Sequence, residues 1–165
     1  MKVKKIIKPV TECLFLSAVV FGIYGYATKA KAKESLLLKR YKKYYGVTSS
    51  WLLKNLSNED SIKKYLESSG YNKIAVYGMG SIAELLSKQF EQYTDMEIKY
   101  YIDRNGRELV YGLNGLEVVD IDGMAGMEEV DLVIVTAVAD YDDILGEIRK
   151  KYKSLKVVSL EEIIN

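Results

Sequence analysis

The stretch from Lys73 to Ala83, KIAVYGMGSIA, narrows the fold more than any other part of the chain. Ile74, Ala75, Val76 and Tyr77 form an apolar run without polar alternation, as a strand buried on both faces of a parallel sheet requires. Gly78-Met79-Gly80-Ser81-Ile82-Ala83 follows at once and fits the pattern G-x-G-x-x-G/A. Gly78 would permit the tight turn, Gly80 would let the backbone come close to a phosphate, and the small Ala83 would let helix and strand pack closely. Ile82, Leu85, Leu86 and Phe90 then predict a helix with one apolar face, and Glu84 and Lys88 an exposed i,i+4 pair.

This strand–loop–helix rhythm repeats. Met96 to Ile102 alternates through Ile98, Tyr100 and Ile102 as a second strand and ends in Asp103. Leu116 to Asp120 adds a short third strand between the turns marked by Asn105-Gly106 and Asn114-Gly115 and the next apolar run. Leu132 to Val138 is a further buried strand. The helix after it buries Ile144, Leu145 and Ile148, with Asp140, Asp142 and Asp143 at its start and Arg149, Lys150 and Lys151 at its end, as the helix dipole prefers. Lys156 to Leu160 closes the series, leaving Glu161 to Asn165 as a tail. Strands joined by helical crossovers make an α/β fold, a small Rossmann-like parallel sheet of order 3-2-1-4-5 with an N-terminal helical extension.

In such a sheet a ligand lies at the carboxyl ends of the strands. The backbone of Gly78, Met79, Gly80, Ser81 and Ile82 would cradle an anion at the positive end of the following helix. Asp103 stands close to where a ribose-binding acid belongs, about 20 residues on; its other reading is a cap on the Asn105-Gly106 turn. Arg104 would suit a second phosphate, or else stand in solvent. Tyr141 offers a face for a base or sugar, whereas the neighbouring aspartates would repel an extended phosphate chain. The cofactor this pattern implies is a nucleotide such as NAD(P).

Composition removes whole classes of chemistry. The chain has no histidine, so no imidazole base, triad or imidazole-bound metal is available. The single cysteine, Cys13, can form neither an internal disulfide nor a thiolate metal site. Lys plus Arg (24) balances Asp plus Glu (23), which gives no overall field to attract nucleic acid, so none is expected as a partner. No self-contained catalytic set remains, and binding is favoured over catalysis.

The first third differs from the rest. Lysines at 2, 4, 5 and 8 precede an uncharged run from Cys13 to Thr28, CLFLSAVVFGIYGYAT, and Lys29, Lys31 and Lys33 follow it. The run stands between a buried helix and a membrane span, which wants about 20 apolar residues. It reads as a membrane anchor, as a helix packed on a partner enzyme or a second copy, or as a cleavable signal. As an anchor, the basic run from Lys29 to Lys43 would place the C-terminal domain in the cytoplasm, where nucleotides are. Leu36, Leu37, Leu38, Tyr41, Tyr44 and Tyr45 among Lys39, Arg40, Lys42 and Lys43 continue as a basic, aromatic helix. Gly46 reads as its end, with Thr48-Ser49-Ser50 capping a short helix through Trp51, Leu52, Leu53 and Leu56. Ser57 to Asp60 starts another, carrying Ile62, Tyr65 and Leu66 and stopping at Gly70. The resulting segments are 1–45, a basic apolar-helix extension; 46–70, a helical lead-in; and 71–165, the nucleotide-binding domain.

The run KIAVYGMGSIAELL…IKYYIDRNG…VDLVIVTAVADYDDI…KVVSLEEII resembles Rossmann-like domains of bacterial capsule and exopolysaccharide biosynthesis proteins. It is similar to the nucleotide-binding portions of polysaccharide-biosynthesis dehydratases and to the N-terminal domains of sugar-nucleotide acetyltransferases. WLLKNLSNEDSIKKYLESSGYNKIAVYGMG extends the resemblance back to Trp51. The resemblance implies UDP-sugar binding through Gly78, Gly80 and Asp103. The Tyr-x-x-x-Lys dyad and the β-helix repeats of those enzymes are missing here, so no activity carries over. The expectation is a nucleotide or nucleotide-sugar binding module accessory to surface polysaccharide biosynthesis. The alternatives are an NAD(P)-dependent enzyme on a nucleotide-linked sugar and a scaffold with a vestigial pocket.

Overall fold

The computed structural model describes residues 4–106 and 112–165, with side chains from Tyr24 onward. Cys13 and the greater part of the apolar run therefore lie outside the described side chains. Two units divide between Lys42 and Lys43. The first is helical: α1 runs from Lys4 to Leu56, and its residues from Lys43 on belong to the second unit. Among the described residues no helix is long and apolar enough to cross a membrane.

Gly46 does not end this helix, contrary to the expectation from sequence. Glycine inside a helix costs about 1 kcal/mol, and packing offsets it: Val47 and Trp51, one turn apart, are buried in the domain core. Thr48 caps nothing. Its hydroxyl donates back to the Tyr44 carbonyl at 2.9 Å, the bond a threonine makes inside a helix.

The second unit continues with α2 (Ser61–Ser69), β1 (Lys73–Tyr77), α3 (Ser81–Phe90), β2 (Glu97–Ile102), β3 (Val118–Val119), β4 (Leu132–Val135), α4 (Tyr141–Lys151), β5 (Lys156–Ser159) and α5 (Leu160–Ile164). Short 3-10 turns at Gly123–Gly126 and Val138–Asp140 precede β4 and α4. The sheet has five parallel strands in the order β3-β2-β1-β4-β5, as the sequence predicts. Asn114 and Gly115 both have positive φ (52° and 78°) and join Leu113 to Leu116 in a tight hairpin turn.

Alternate strand residues feed two cores. Ile74, Val76, Tyr101, Ile134 and Val158 pack under α1, α2, α3 and α5. Ala75, Tyr77, Tyr100, Ile102, Val133, Val135 and Val157 pack with Ile144 and Ile148 of α4 and with Met124. Regular alternation in β2 would put Ile98 with Tyr100 and Ile102. Instead Ile74 pairs with Ile98 and Ala75 with Tyr100, so Lys99 is an extra residue that moves Ile98 to the opposite face. Its ammonium is held by Glu97 and Glu128.

Other expectations need correction. The face α3 buries carries Ala83, Leu86, Ser87 and Phe90, which turns Leu85 outward at 55% exposure. Lys88 pairs with Glu91 at 2.7 Å rather than with Glu84. The apolar run from Leu132 stops being strand at Val135. The C-terminal tail is a helix: Ser159 caps it through the Glu161 N–H (3.3 Å), and Ile163 and Ile164 are buried. Lys43 pairs with Glu161 at 2.9 Å, and the Lys54 ammonium donates to the Ile164 carbonyl, which ties α5 to the end of α1.

Asp131 fastens the amino end of the sheet. One carboxylate oxygen accepts the N–H groups of Asn72 and Lys73, both at 2.9 Å. The Lys73 bond, then the Asn72 bond, hold its carboxyl below the ordinary value. A depressed folded value means that the stabilisation is full above the unfolded carboxyl range and is lost as pH falls through the folded value. Asp131→Asn is therefore expected to shallow the loss of stability as pH falls below about 4, read as urea midpoints across the acid limb. An unchanged acid limb would remove this role.

Candidate ligand site at the carboxyl edge of the sheet

The chain leaves β1 at Tyr77 and turns at Gly78, whose φ is +108°. The Gly78 N–H donates to the Ile102 carbonyl at 2.8 Å, joining the loop to the end of β2. On the other side stands Thr136, the first residue after β4 and 4% exposed. Its N–H and its hydroxyl both donate to the Tyr77 carbonyl at 2.9 Å. A Cβ at Gly78 would lie 2.5 Å from that hydroxyl. The ends of β1, β2 and β4 are thus locked together where the strand order turns back, the position at which open α/β sheets bind ligands.

Gly80 is the N-cap of α3 and differs from Gly78. Its φ and ψ (−78°, −179°) suit any residue, and a Cβ there would meet nothing within 4 Å. No side chain caps the helix, while the Gly80 carbonyl accepts from the N–H groups of Ala83 (2.8 Å) and Glu84 (3.2 Å). The leading N–H groups of a helix carry the positive end of its dipole, so this open start is suited to an anion. Met79 and Ile82, half-buried against the core under α3, anchor the loop on both sides of Gly80, and Ser81 is exposed.

Asp103 and Arg104 follow β2 beside this loop, since Ile102 and Tyr77 are register partners. Asp103 takes up the turn role: Oδ1 accepts the Asn105 N–H at 3.0 Å and its carbonyl accepts the Gly106 N–H at 3.0 Å. Arg104 is engaged with α4, its Nη2 lying 3.2 Å from the Glu147 carboxylate. Glu147 raises the guanidinium's pKa most, with the Tyr77 hydroxyl contributing as well. Burial pushes the Tyr77 hydroxyl's own pKa up, against the opposing pull of Arg104.

Tyr141 is half-buried at the start of α4. Its ring packs against the core cluster, and its hydroxyl donates to the Val157 carbonyl at 3.2 Å. Asp142 and Asp143 are exposed in the first turn of α4. Among the described residues no group of three acidic or thiol side chains is gathered to hold a metal ion.

Two features escaped the sequence reading. Thr136 is one; the signal available was a lone hydroxyl closing the apolar run LVIVT, abreast of Gly78 across β1 and β4. The other is a cleft of about 510 Å³ at the far end of α3 from the glycine loop, lined by Trp51, Asn55, Asp60, Leu85, Gln89 and Gln92 among others. Its polar groups serve one another. Gln89 accepts from Trp51 Nε1 (2.6 Å) and Asn55 (3.2 Å) and donates to Asp60 (2.8 Å), which also accepts the Tyr93 hydroxyl (2.8 Å). The glycine loop, by contrast, is where backbone donors stand open at an uncapped helix start.

No protein-family model matches the chain, and no curated protein matches it.

Proposed function

We propose that the carboxyl edge of this sheet binds a compact phosphate-bearing ligand of the nucleotide type, a nucleotide sugar or NAD(P), over Gly78 to Ile82. The observation that carries the reading is the uncapped, unfilled start of α3 at Gly80, set at the point where the strand order turns back. Asp103 would reach the ribose with the carboxylate oxygen opposite the one bonded to Asn105. The exposed Asp142 and Asp143 at the same edge disfavour a long phosphate chain. The resemblance to polysaccharide-biosynthesis proteins supports reading it as a binding or regulatory module accessory to surface polysaccharide assembly, with the N-terminal helix holding it on the cytoplasmic side. A scaffold with a vestigial pocket is the second reading, and the commitment of Arg104 to Glu147 favours it.

Thermal unfolding of the full chain with NAD(H), NADP(H) and UDP-sugars tests the proposal. Ligand at a hundred times its dissociation constant adds about 2.7 kcal/mol of stability. Gly80→Asp separates binding from folding. The aspartate would cap α3 and meet its dipole favourably, leaving the free protein as stable or more stable by about 0.5 kcal/mol. The same carboxylate occupies the anion's place, so the ligand-induced shift is expected to vanish. A well-folded chain that no nucleotide stabilises would sink the binding reading and leave the scaffold.

A further inference from the structure

In the first unit, the stretch whose side chains are described, Tyr24 to Lys42, carries six basic residues against one acidic one, Glu34. Tyr24, Tyr26, Leu36, Leu37, Leu38 and Tyr41 are each more than half exposed. On a helix of 3.6 residues per turn, Ala27, Ala30, Leu37, Leu38 and Tyr41 fall on one stripe. Lys29, Lys33 and Arg40 run along one border of that stripe, and Lys31 and Lys42 along the other. Glu34 interrupts it, with Lys31 its neighbour one turn earlier.

Helices in proteins draw most of their stability from packing an apolar face, and the large apolar residues of this stripe are exposed. Like charges on both borders oppose pairing with a second copy. An anionic surface instead takes the stripe and both lysine borders at once, the lysines reaching outward to headgroups along their aliphatic stems. We propose that this segment lies flat on an anionic lipid surface as a peripheral, charge-dependent anchor. The proposal goes beyond the nucleotide reading and stands without it.

The test is co-sedimentation of the full chain, without nucleotide, with vesicles of phosphatidylcholine alone or mixed with phosphatidylglycerol. Binding is expected only to the mixed vesicles and to weaken as salt is raised. Each basic residue at such a surface contributes about fivefold, so Lys29→Gln with Lys33→Gln lowers partitioning by about 25-fold. Glu34→Gln raises it. Thermal unfolding of these variants should match the parent, because all three residues are exposed. Equal binding to both kinds of vesicle, indifference to the lysine changes, or concentration-dependent self-association without lipid binding would each overturn the proposal. Gly80→Asp should leave lipid binding intact, so failure here and failure at the glycine loop read out separately.

Discussion

Gly78→Ala is expected to lower unfolding stability by about 3 kcal/mol, although only a methyl group is added. Two costs combine. A φ of +108° is strained for any residue with a Cβ, which accounts for about 1–3 kcal/mol. The methyl would also stand 2.5 Å from the Thr136 hydroxyl and force it off the Tyr77 carbonyl, a bond worth about 1 kcal/mol. Gly80→Ala, two residues on, meets open space in an ordinary conformation and is expected to cost no more than about 1 kcal/mol, alanine being the poorer N-cap. Urea midpoints of both variants provide the comparison. Adding Thr136→Ala to Gly78→Ala should recover the collision but not the strain, so the pair is coupled in a double-mutant cycle. Equal effects at the two glycines would contradict the loop described above.

Removing the Asp60 carboxylate should cost a similar amount, about 3–4 kcal/mol for Asp60→Ala. The side chain caps α2 through the Lys63 N–H at 2.9 Å and accepts from Gln89 and from the Tyr93 hydroxyl. Its loss strips a cap and leaves two partly enclosed donors without an acceptor. Asp60→Asn keeps an acceptor for the cap and should cost about 1 kcal/mol. The same network carries an alkaline signature. Burial, and then the bond to Asp60, push the Tyr93 hydroxyl well above its usual value of 10.0. A raised folded value means that this stabilisation is whole below the unfolded value and is lost as pH rises past it. Stability should therefore fall above about pH 10, and Tyr93→Phe should flatten that limb in urea titrations. A parent that keeps its full stability there would contradict the burial of this phenol.

Sheet order, the glycine loop and the two-faced strands were legible because each has a local signature. KIAVY and LVIV are uninterrupted apolar runs, and G-x-G-x-x-A ties a turn to a helix start. What escaped was set by partners distant in sequence. Gly46 looks like a helix end until Val47 and Trp51 are seen to be buried. Leu85 looks like a core residue until Ala83, Leu86 and Phe90 claim the sheet-facing side of α3. Ile98 and Tyr100 share a parity but not a face, because the register slips at Lys99. At the candidate site the glycines were legible as a motif, but not the difference between them. Gly78 is required by its own backbone and by Thr136, whereas Gly80 is tolerated by the fold and needed only if something binds. Asp103 and Arg104 follow directly on β2, and their bonds to Asn105 and Glu147 depend on a turn and a helix that spacing alone does not orient.

The contact between α5 and the end of α1 bears on how the chain can be made and re-cut. The Lys43–Glu161 pair and the Lys54–Ile164 bond bring the first and last elements of the second unit together. Trp51 already meets Gln89 of α3, so what α5 adds is the partner of Lys43 and Lys54, a contact of long sequence separation that is slow to form. Adjacent ends also suit circular permutation. A linker from Asn165 to Lys43, with new termini opened in the Asn114-Gly115 hairpin turn, would keep all five strands and the glycine loop in place.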